Sequence, residues 1–258
     1  MALSATARPI EGAVATLGVS DRVTFLRKTY AHLGGALIAF ALLTGVMMNY
    51  ATELSLKLSF AGRGGGIGPF LLVLVLFLVV SWGATKLAMS ESSPKLQYLG
   101  LGLGVVMWSI LAQPIIWFTV WKFGATDVLD TSNGVHLSAK AALVLGESVV
   151  ITLAIFIGLT VTVFITKKDF TFLRGALSIG MFALIGIGIA SVAFGFNVGM
   201  LFNGAIILLM AGYILMQTSQ IMNYFRPTMH VAAALMLFGT VVNLFLSVLR
   251  IMAELNRR

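Results

Sequence analysis

A single carboxylate lies deep within a long apolar stretch of this sequence. Glu147 stands about two helical turns inside a segment that runs from 138 to 166. An ionisable side chain at membrane depth is costly, which makes it a candidate functional group. Two interpretations stay open. Glu147 is either a proton or cation site, or a structural hydrogen-bonding group that reaches interfacial water.

A polar face runs along the last apolar segment at intervals of 3, 4, 3 and 4 residues. It consists of Thr240, Asn243, Ser247, Arg250 and Glu254. This spacing places the side chains on one face of an α-helix, and Arg250 and Glu254 are predicted to pair at i, i+4. Because polar groups avoid lipid, the face predicts either hydrogen bonds that hold a buried helix or the lining of an ion pathway.

The preceding apolar segment carries a second polar face, which is expected to meet the first. It consists of Tyr213, Gln217, Gln220 and Tyr224, at intervals of 4, 3 and 4 residues. Earlier in the chain Gln113 precedes Pro114. Since proline lacks an N–H and clashes with the preceding turn, this dipeptide predicts a break in a helix and a freed carbonyl.

The sequence lacks the residues that several other kinds of functional site require. The chain has no cysteine, and its histidines, His32, His136 and His230, are scattered without a metal-ligand spacing. It has no phosphate-binding P-loop, nucleophile elbow or zinc-protease motif, and no pair of intramembrane aspartates. The sequence therefore predicts a protein that is not an enzyme and that has no cofactor and no metal site.

The segments that carry these residues are membrane-spanning by composition. Hydrophobic residues make up 59% of the 258 residues and charged residues 10%, whereas a soluble domain is about half apolar and a quarter charged. Seven segments have the roughly 20 apolar residues that a spanning helix needs. They lie at about 30–50, 69–89, 97–121, 138–166, 172–194, 198–222 and 229–252.

These segments predict an all-α integral membrane protein, because backbone groups in lipid must form their hydrogen bonds within a helix. The expected organisation is a cytoplasmic N-terminal segment at 1–28 and a seven-helix membrane domain at 29–253. Strands of a barrel would alternate in polarity over about ten residues. That pattern is absent from the sequence.

The net charge of +8 reports topology rather than nucleic-acid binding, because the basic residues sit at the ends of apolar segments. The side of the N-terminus holds Arg8, Arg22, Arg27, Lys28, Lys86, Lys95, Lys167, Lys168, Arg174 and Arg226. The other side holds Lys57, Arg63, Lys122, Lys140, Arg250, Arg257 and Arg258. The bias predicts a cytoplasmic N-terminus.

Three stretches, in order along the chain, resemble the Bax inhibitor-1 family. Phe25–Leu33 resembles the start of that family's first helix, and Thr166–Leu173 resembles its loop after the fourth. Gly212–Leu215 and Val242–Ile251 resemble its last two helices. The resemblance implies six helices packed around a central C-terminal helix. It also implies the family's described activities, which are a pH-sensitive calcium leak, suppression of cell death in eukaryotes and modulation of a membrane-bound AAA protease in bacteria.

The sequence departs from this family at one functional feature. The family's leak is attributed to paired aspartates on the last two helices, and Gln217 and Thr240 stand at the matching positions. Two close carboxylates share a proton and titrate together, whereas an amide and a hydroxyl do not titrate. Glu147 matches an acidic position of some bacterial members.

Two functions are therefore expected. The first is a bacterial-type member, in the inner (cytoplasmic) membrane, that regulates or partners another membrane protein, such as a membrane AAA protease or a larger membrane complex. The alternative is a leak channel for calcium or protons whose pH gating is altered or lost. The residues of the expected polar pathway or buried network are Glu147, Gln217, Gln220, Thr240, Asn243, Ser247 and Arg250.

Overall fold

The computed structural model describes residues 9–60, 67–91, 93–124 and 137–256. Eight α-helices lie in this part of the chain. They are α1 (Val19–Tyr50), α2 (Thr52–Phe60), α3 (Ile67–Ala88), α4 (Pro94–Phe123), α5 (Ala139–Thr166), α6 (Arg174–Phe194), α7 (Gly199–Tyr224) and α8 (His230–Leu255). Short 3-10 turns precede α1, α6 and α8.

The helices match the predicted apolar segments, and the fold is that of an all-α membrane protein. Six of the helices described here are long and apolar enough to cross a bilayer. The remaining segment forms α3, in which Val75–Ala88 is a shorter apolar helix. The prediction of seven spans thus has six full-length helices and α3 as its counterparts.

The first helix differs from its predicted bounds. α1 begins at Val19 rather than near residue 30, so part of the expected N-terminal segment is helical. The reason is a buried stripe that starts before the apolar run. Phe25 and Thr29 are 2% and 1% exposed, and they continue the face on which Leu33 lies. Arg27 and Lys28 of this stretch are exposed on other faces of the same helix.

The short helix α2 has no counterpart among the predicted elements. Its nine residues mix polar and apolar types, and Glu53 and Lys57 form an exposed ion pair of 2.7 Å across one turn. It packs mainly against α4 and also against α1. A helix this short gives little periodicity and is held by tertiary contact rather than by its own propensity.

The C-terminal helix occupies the centre of the bundle. α8 contacts α1, α3, α4, α5 and α7, and 72% of its most apolar stretch is buried inside the protein, compared with 6% for the span that contains α6. A helix that is apolar on nearly all sides is suited to such a position. α6 is peripheral and packs mainly against α7 and α3.

The bundle has two ends, which differ in charge. We call the end where α1, α4, α6 and α8 begin the N-side, and the opposite end the C-side. Among the described residues, the helices place nine Lys and Arg on the N-side and four on the C-side, the latter being Lys57, Lys122, Lys140 and Arg250. Arg8, Arg63, Arg257 and Arg258 lie outside the described residues.

Candidate functional site

The two predicted polar faces meet at one point, between α7 and α8. The Thr240 hydroxyl donates a hydrogen bond of 2.9 Å to Oε1 of Gln217, and Thr240 is only 7% exposed. The resemblance predicts the family's paired aspartates at these two positions. The contact in this chain is a hydrogen bond between a neutral hydroxyl and a neutral amide.

The rest of the α7 face diverges from α8. The Tyr213 hydroxyl donates to the Leu177 carbonyl of α6 at 3.5 Å, so this side chain points toward α6 instead. Gln220 is half-buried, and Tyr224 is exposed near the N-side. The predicted meeting of the two faces is therefore limited to Gln217 and Thr240.

The polar face of α8 has a buried part and a part that is exposed toward the C-side. Ser247 is 2% exposed and donates 3.0 Å to the carbonyl of Asn243, one turn earlier in its own helix. Asn243 is half-buried, whereas Arg250 is exposed. The predicted Arg250–Glu254 pair is wrong. The ion pairs in the described ranges are Lys57–Glu53 and Arg226–Glu91. Arg250 and Glu254 both line a cavity at the C-side without forming an ion pair with each other.

Glu147 lies apart from Gln217 and Thr240. It is half-buried on α5, beside Val150 and across from Met252 of α8, where it lines a shallow cavity. Its Oε2 is buried and has no hydrogen-bond partner among the described residues. Gln217 lines a different cavity, between α3, α4 and α8. The expected pathway residues are thus distributed among separate places rather than gathered around one opening.

A buried polar network that the sequence analysis missed joins α2 to α4. The Ser55 hydroxyl donates 2.7 Å to Oε1 of Gln113, and the Trp117 indole N–H donates 2.7 Å to the Ser55 oxygen. The Gln113 amide nitrogen donates 3.2 Å to the Ser109 carbonyl. The predicted break at Pro114 is wrong, since α4 is continuous from Pro94 to Phe123. The polar residue before proline was the available signal, and it marks a network instead.

Two of the scattered histidines come together at the N-side. The rings of His32 and His230 have centroids 5.0 Å apart, and Nε2 of His32 lies 3.0 Å from the Tyr98 hydroxyl. Nδ1 of His32 faces the Lys28 carbonyl at 2.7 Å. Because a carbonyl only accepts, Nδ1 donates, and the neutral ring accepts at Nε2 from Tyr98. His136 lies outside the described residues.

This histidine pair could not be found from spacing along the chain, because helix packing brings its members together. Within the described ranges no group of three or more potential metal-ligating side chains forms. The two histidines and Tyr98 therefore form a polar contact between α1, α4 and α8, at the end of the bundle where most of the described basic residues lie.

Comparison with known proteins agrees with this architecture. The model of a family described as "Inhibitor of apoptosis-promoting Bax1" matches residues 22–257. The chain is 30% identical over 250 residues to "Bax inhibitor 1" of Schizosaccharomyces pombe, an alignment that covers 94% of this chain and 81% of the yeast protein.

Two shorter matches come from other kingdoms. The chain is 29% identical over 143 residues to an "Uncharacterized membrane protein" of Vibrio cholerae, covering 53% of this chain and 64% of that protein. It is 29% identical over 113 residues to "Protein lifeguard 4" of Mus musculus, covering 43% and 48%. With a family match over nearly the whole chain and a bundle built around its last helix, this protein belongs to the Bax inhibitor-1 family.

Proposed function

We propose that this protein is a non-enzymatic regulator or partner of another membrane protein, such as a membrane AAA protease or a larger membrane complex. It acts in the inner (cytoplasmic) membrane with its N-terminus in the cytoplasm. The orientation rests on the excess of basic residues at the N-side. In this role the seven-helix bundle supplies a lateral surface within the bilayer rather than a conducting path.

The observation that carries this proposal is the Thr240–Gln217 hydrogen bond of 2.9 Å. A proton-controlled leak needs a group that gains and loses charge where the path narrows. Here both side chains are neutral at every physiological pH, and Thr240 donates its hydroxyl proton to the Gln217 carbonyl oxygen. The contact is thus suited to holding α7 against α8, and it offers no means of opening with pH.

The test is capture of the partner from native membranes. A photo-crosslinking amino acid at Phe182, which is 75% exposed on α6, should give defined adducts that mass spectrometry identifies. The same amino acid at Phe238, which is 0% exposed in α8, is the matched control and should give adducts within the chain only. Recovery of a solitary monomer in mild detergent, with no adduct from Phe182, would count against the partner role.

The second candidate function is a cation leak, which one specific observation favours. Oε2 of Glu147 is buried without a hydrogen-bond partner in the described chain, and such a carboxylate is a natural place for a proton or a calcium ion. Its supporting test is calcium or proton flux in liposomes, which Glu147→Gln should abolish.

Glu53→Gln is the control for that flux, because Glu53 is an exposed carboxylate in an ion pair on α2. Flux that is equal in the two variants would assign the leak elsewhere. If the purified protein passes no cation at any pH, the leak function fails and the partner role stands alone.

A further inference from the structure

The C-side of the bundle contains a cavity that the partner role does not use. It has a volume of about 900 Å³ and lies between the ends of α4 and α8 and the starts of α5 and α7. Its charged lining side chains are Lys122, Lys140, Arg250 and Glu254. Aromatic rings, including Phe118 and Phe123, form much of the remaining wall.

Positive charge is concentrated in this cavity. The described chain places four basic residues on the C-side, and three of them line the cavity, while Lys57 lies outside it. Glu254 is the one carboxylate among the described lining residues, and Lys140 and Arg250 by themselves outnumber it. A concave surface with an excess of one charge focuses the field on its interior and attracts the opposite charge.

The two lysines are held in place by the cavity wall. Nζ of Lys122 donates 2.6 Å to the Ala253 carbonyl in the last turn of α8, and it lies 5.5 Å from the centre of the Phe118 ring. Nζ of Lys140 lies 5.3 Å from the centre of the Phe123 ring. Lysines anchored in this way lose less conformational freedom when a ligand arrives.

Arg250 is a basic lining side chain that has no partner among the described residues. It is exposed at the end of a buried stretch of α8, and its guanidinium forms neither an ion pair nor a hydrogen bond with any described residue. A guanidinium carries five N–H donors in a planar fork, a geometry that matches phosphate and carboxylate oxygens. Unpaired and facing a cavity, it is arranged to bind an oxyanion.

Asn203 contributes a hydrogen-bond acceptor to the same cavity. This residue of α7 is 8% exposed and lines the same cavity. Its amide nitrogen donates 3.3 Å to the Gly199 carbonyl, while its Oδ1 is buried with no partner among the described residues. Since an unsatisfied buried acceptor is costly, a ligand hydroxyl or amine in the cavity would restore the lost hydrogen bond.

We propose that this cavity binds a phosphate group whose carrier also has a hydroxyl or amine donor. Arg250 and Lys140 contact the phosphate oxygens, and Asn203 accepts from the donor. The headgroup of an anionic phospholipid has this chemistry, and so does free phosphate with its own O–H. The exposed Phe118, at 48%, gives the cavity an apolar border where an acyl chain would begin.

The experiment uses the full-length protein after removal of bound lipid. Native mass spectrometry and thermal unfolding would be recorded with phosphatidylglycerol, with phosphatidylcholine and with inorganic phosphate. We expect phosphatidylglycerol to bind and stabilise, and Arg250→Gln to weaken that binding by about 10-fold or more. Lys57→Gln is the matched control, because it removes a C-side cation that lies outside the cavity.

The choice of ligands distinguishes a phospholipid headgroup from free phosphate. Binding of phosphatidylglycerol but not inorganic phosphate identifies a lipid site, and binding of inorganic phosphate that Arg250→Gln abolishes identifies a site for free phosphate. Arg250→Lys keeps the charge without the planar fork, so it should bind with intermediate strength and also control for folding. Equal binding of both lipids, or equal loss in Lys57→Gln and Arg250→Gln, would overturn the proposal.

Discussion

At the scale of single residues, buried side chains with hydrogen-bonding groups are partnered in some places and orphaned in others. Gln113 is fully buried and bonds Ser55 and the Ser109 carbonyl, whereas Oε2 of Glu147 and Oδ1 of Asn203 have no partner in the described chain. An unmade buried hydrogen bond costs more free energy than a made one gains, so the unpartnered oxygens of Glu147 and Asn203 are candidates for contact with a ligand.

Replacing Gln113 with leucine should destabilise the protein. Leucine has a similar volume, but it cannot accept the hydrogen bond from the Ser55 hydroxyl. Ser55 in turn accepts a hydrogen bond from the Trp117 N–H, so the loss weakens both contacts. We expect a loss of about 1–3 kcal/mol in the free energy of unfolding, measured by thermal or denaturant unfolding in detergent. Gln220→Leu, at a half-buried position, is the matched control and should change stability by less than about 0.5 kcal/mol.

Placing aspartates at both Gln217 and Thr240 should create a pH response at the α7–α8 contact, where the present side chains do not titrate. The present side chains touch at 2.9 Å, so two carboxylates there would share a proton. As the pH rises, loss of that proton leaves two facing negative charges, and the melting temperature of the double variant should fall. The neutral pair Gln217→Asn with Thr240→Ser is the control. A fall of equal size in that control would contradict the argument.

At the scale of elements, the close approach of α3 to α4 depends on one glycine. A β-carbon at Gly100 of α4 would lie 2.5 Å from the Ala84 carbonyl oxygen and 2.6 Å from the Ala88 nitrogen, both in the α3 backbone. A side-chain neighbour could rotate away, but a backbone neighbour forces the whole helix to shift. The α3–α4 contact therefore requires glycine at this position.

Gly100→Ala should separate α3 from α4. We expect it to cost about 1–3 kcal/mol of unfolding free energy, the range found for overpacked interiors. Gly102→Ala is the matched control from the same helix, because a β-carbon there meets nothing within 4 Å. That variant should be neutral, or more stable by up to about 1 kcal/mol through helix propensity. Equal effects of the two variants would show that the α3–α4 contact is not close.

At the scale of the whole molecule, stability should follow distance from α8. Phe238 of α8 is 0% exposed, and its ring lies 6.1 Å from that of Phe40 in α1. Phe182 of the peripheral α6 is 75% exposed. These two phenylalanines differ mainly in whether protein or lipid surrounds them, so they isolate the contribution of the bundle's centre.

Phe238→Ala should cost about 3–5 kcal/mol, because it leaves a cavity among the helices around α8. Phe182→Ala should cost less than about 1 kcal/mol, since lipid or detergent fills the space. The comparison would be made by thermal unfolding in one detergent. A larger loss for Phe182→Ala would mean that α6 and not α8 holds the bundle together.

The sequence by itself determined the spans and the division of basic residues between two ends. Each membrane-spanning segment must by itself be long and apolar enough to cross the bilayer. The segment 138–166 could therefore be matched to α5 (Ala139–Thr166) without knowledge of any other segment. It also determined that Gln217 and Thr240 share faces with other polar residues, because helical periodicity is local. The family resemblance then supplied the central position of the last helix.

The tertiary structure alone decided which of these side chains meet. It brought Thr240 to Gln217, His32 to His230, and three C-side cations to one cavity, and it kept Glu147 apart from Gln217. It also extended α1 toward the N-terminus and left Arg250 without an ion pair to Glu254. The physical reason is that contacts between helices depend on the order and rotation of the helices in the bundle. Periodicity within one segment contains no information about either.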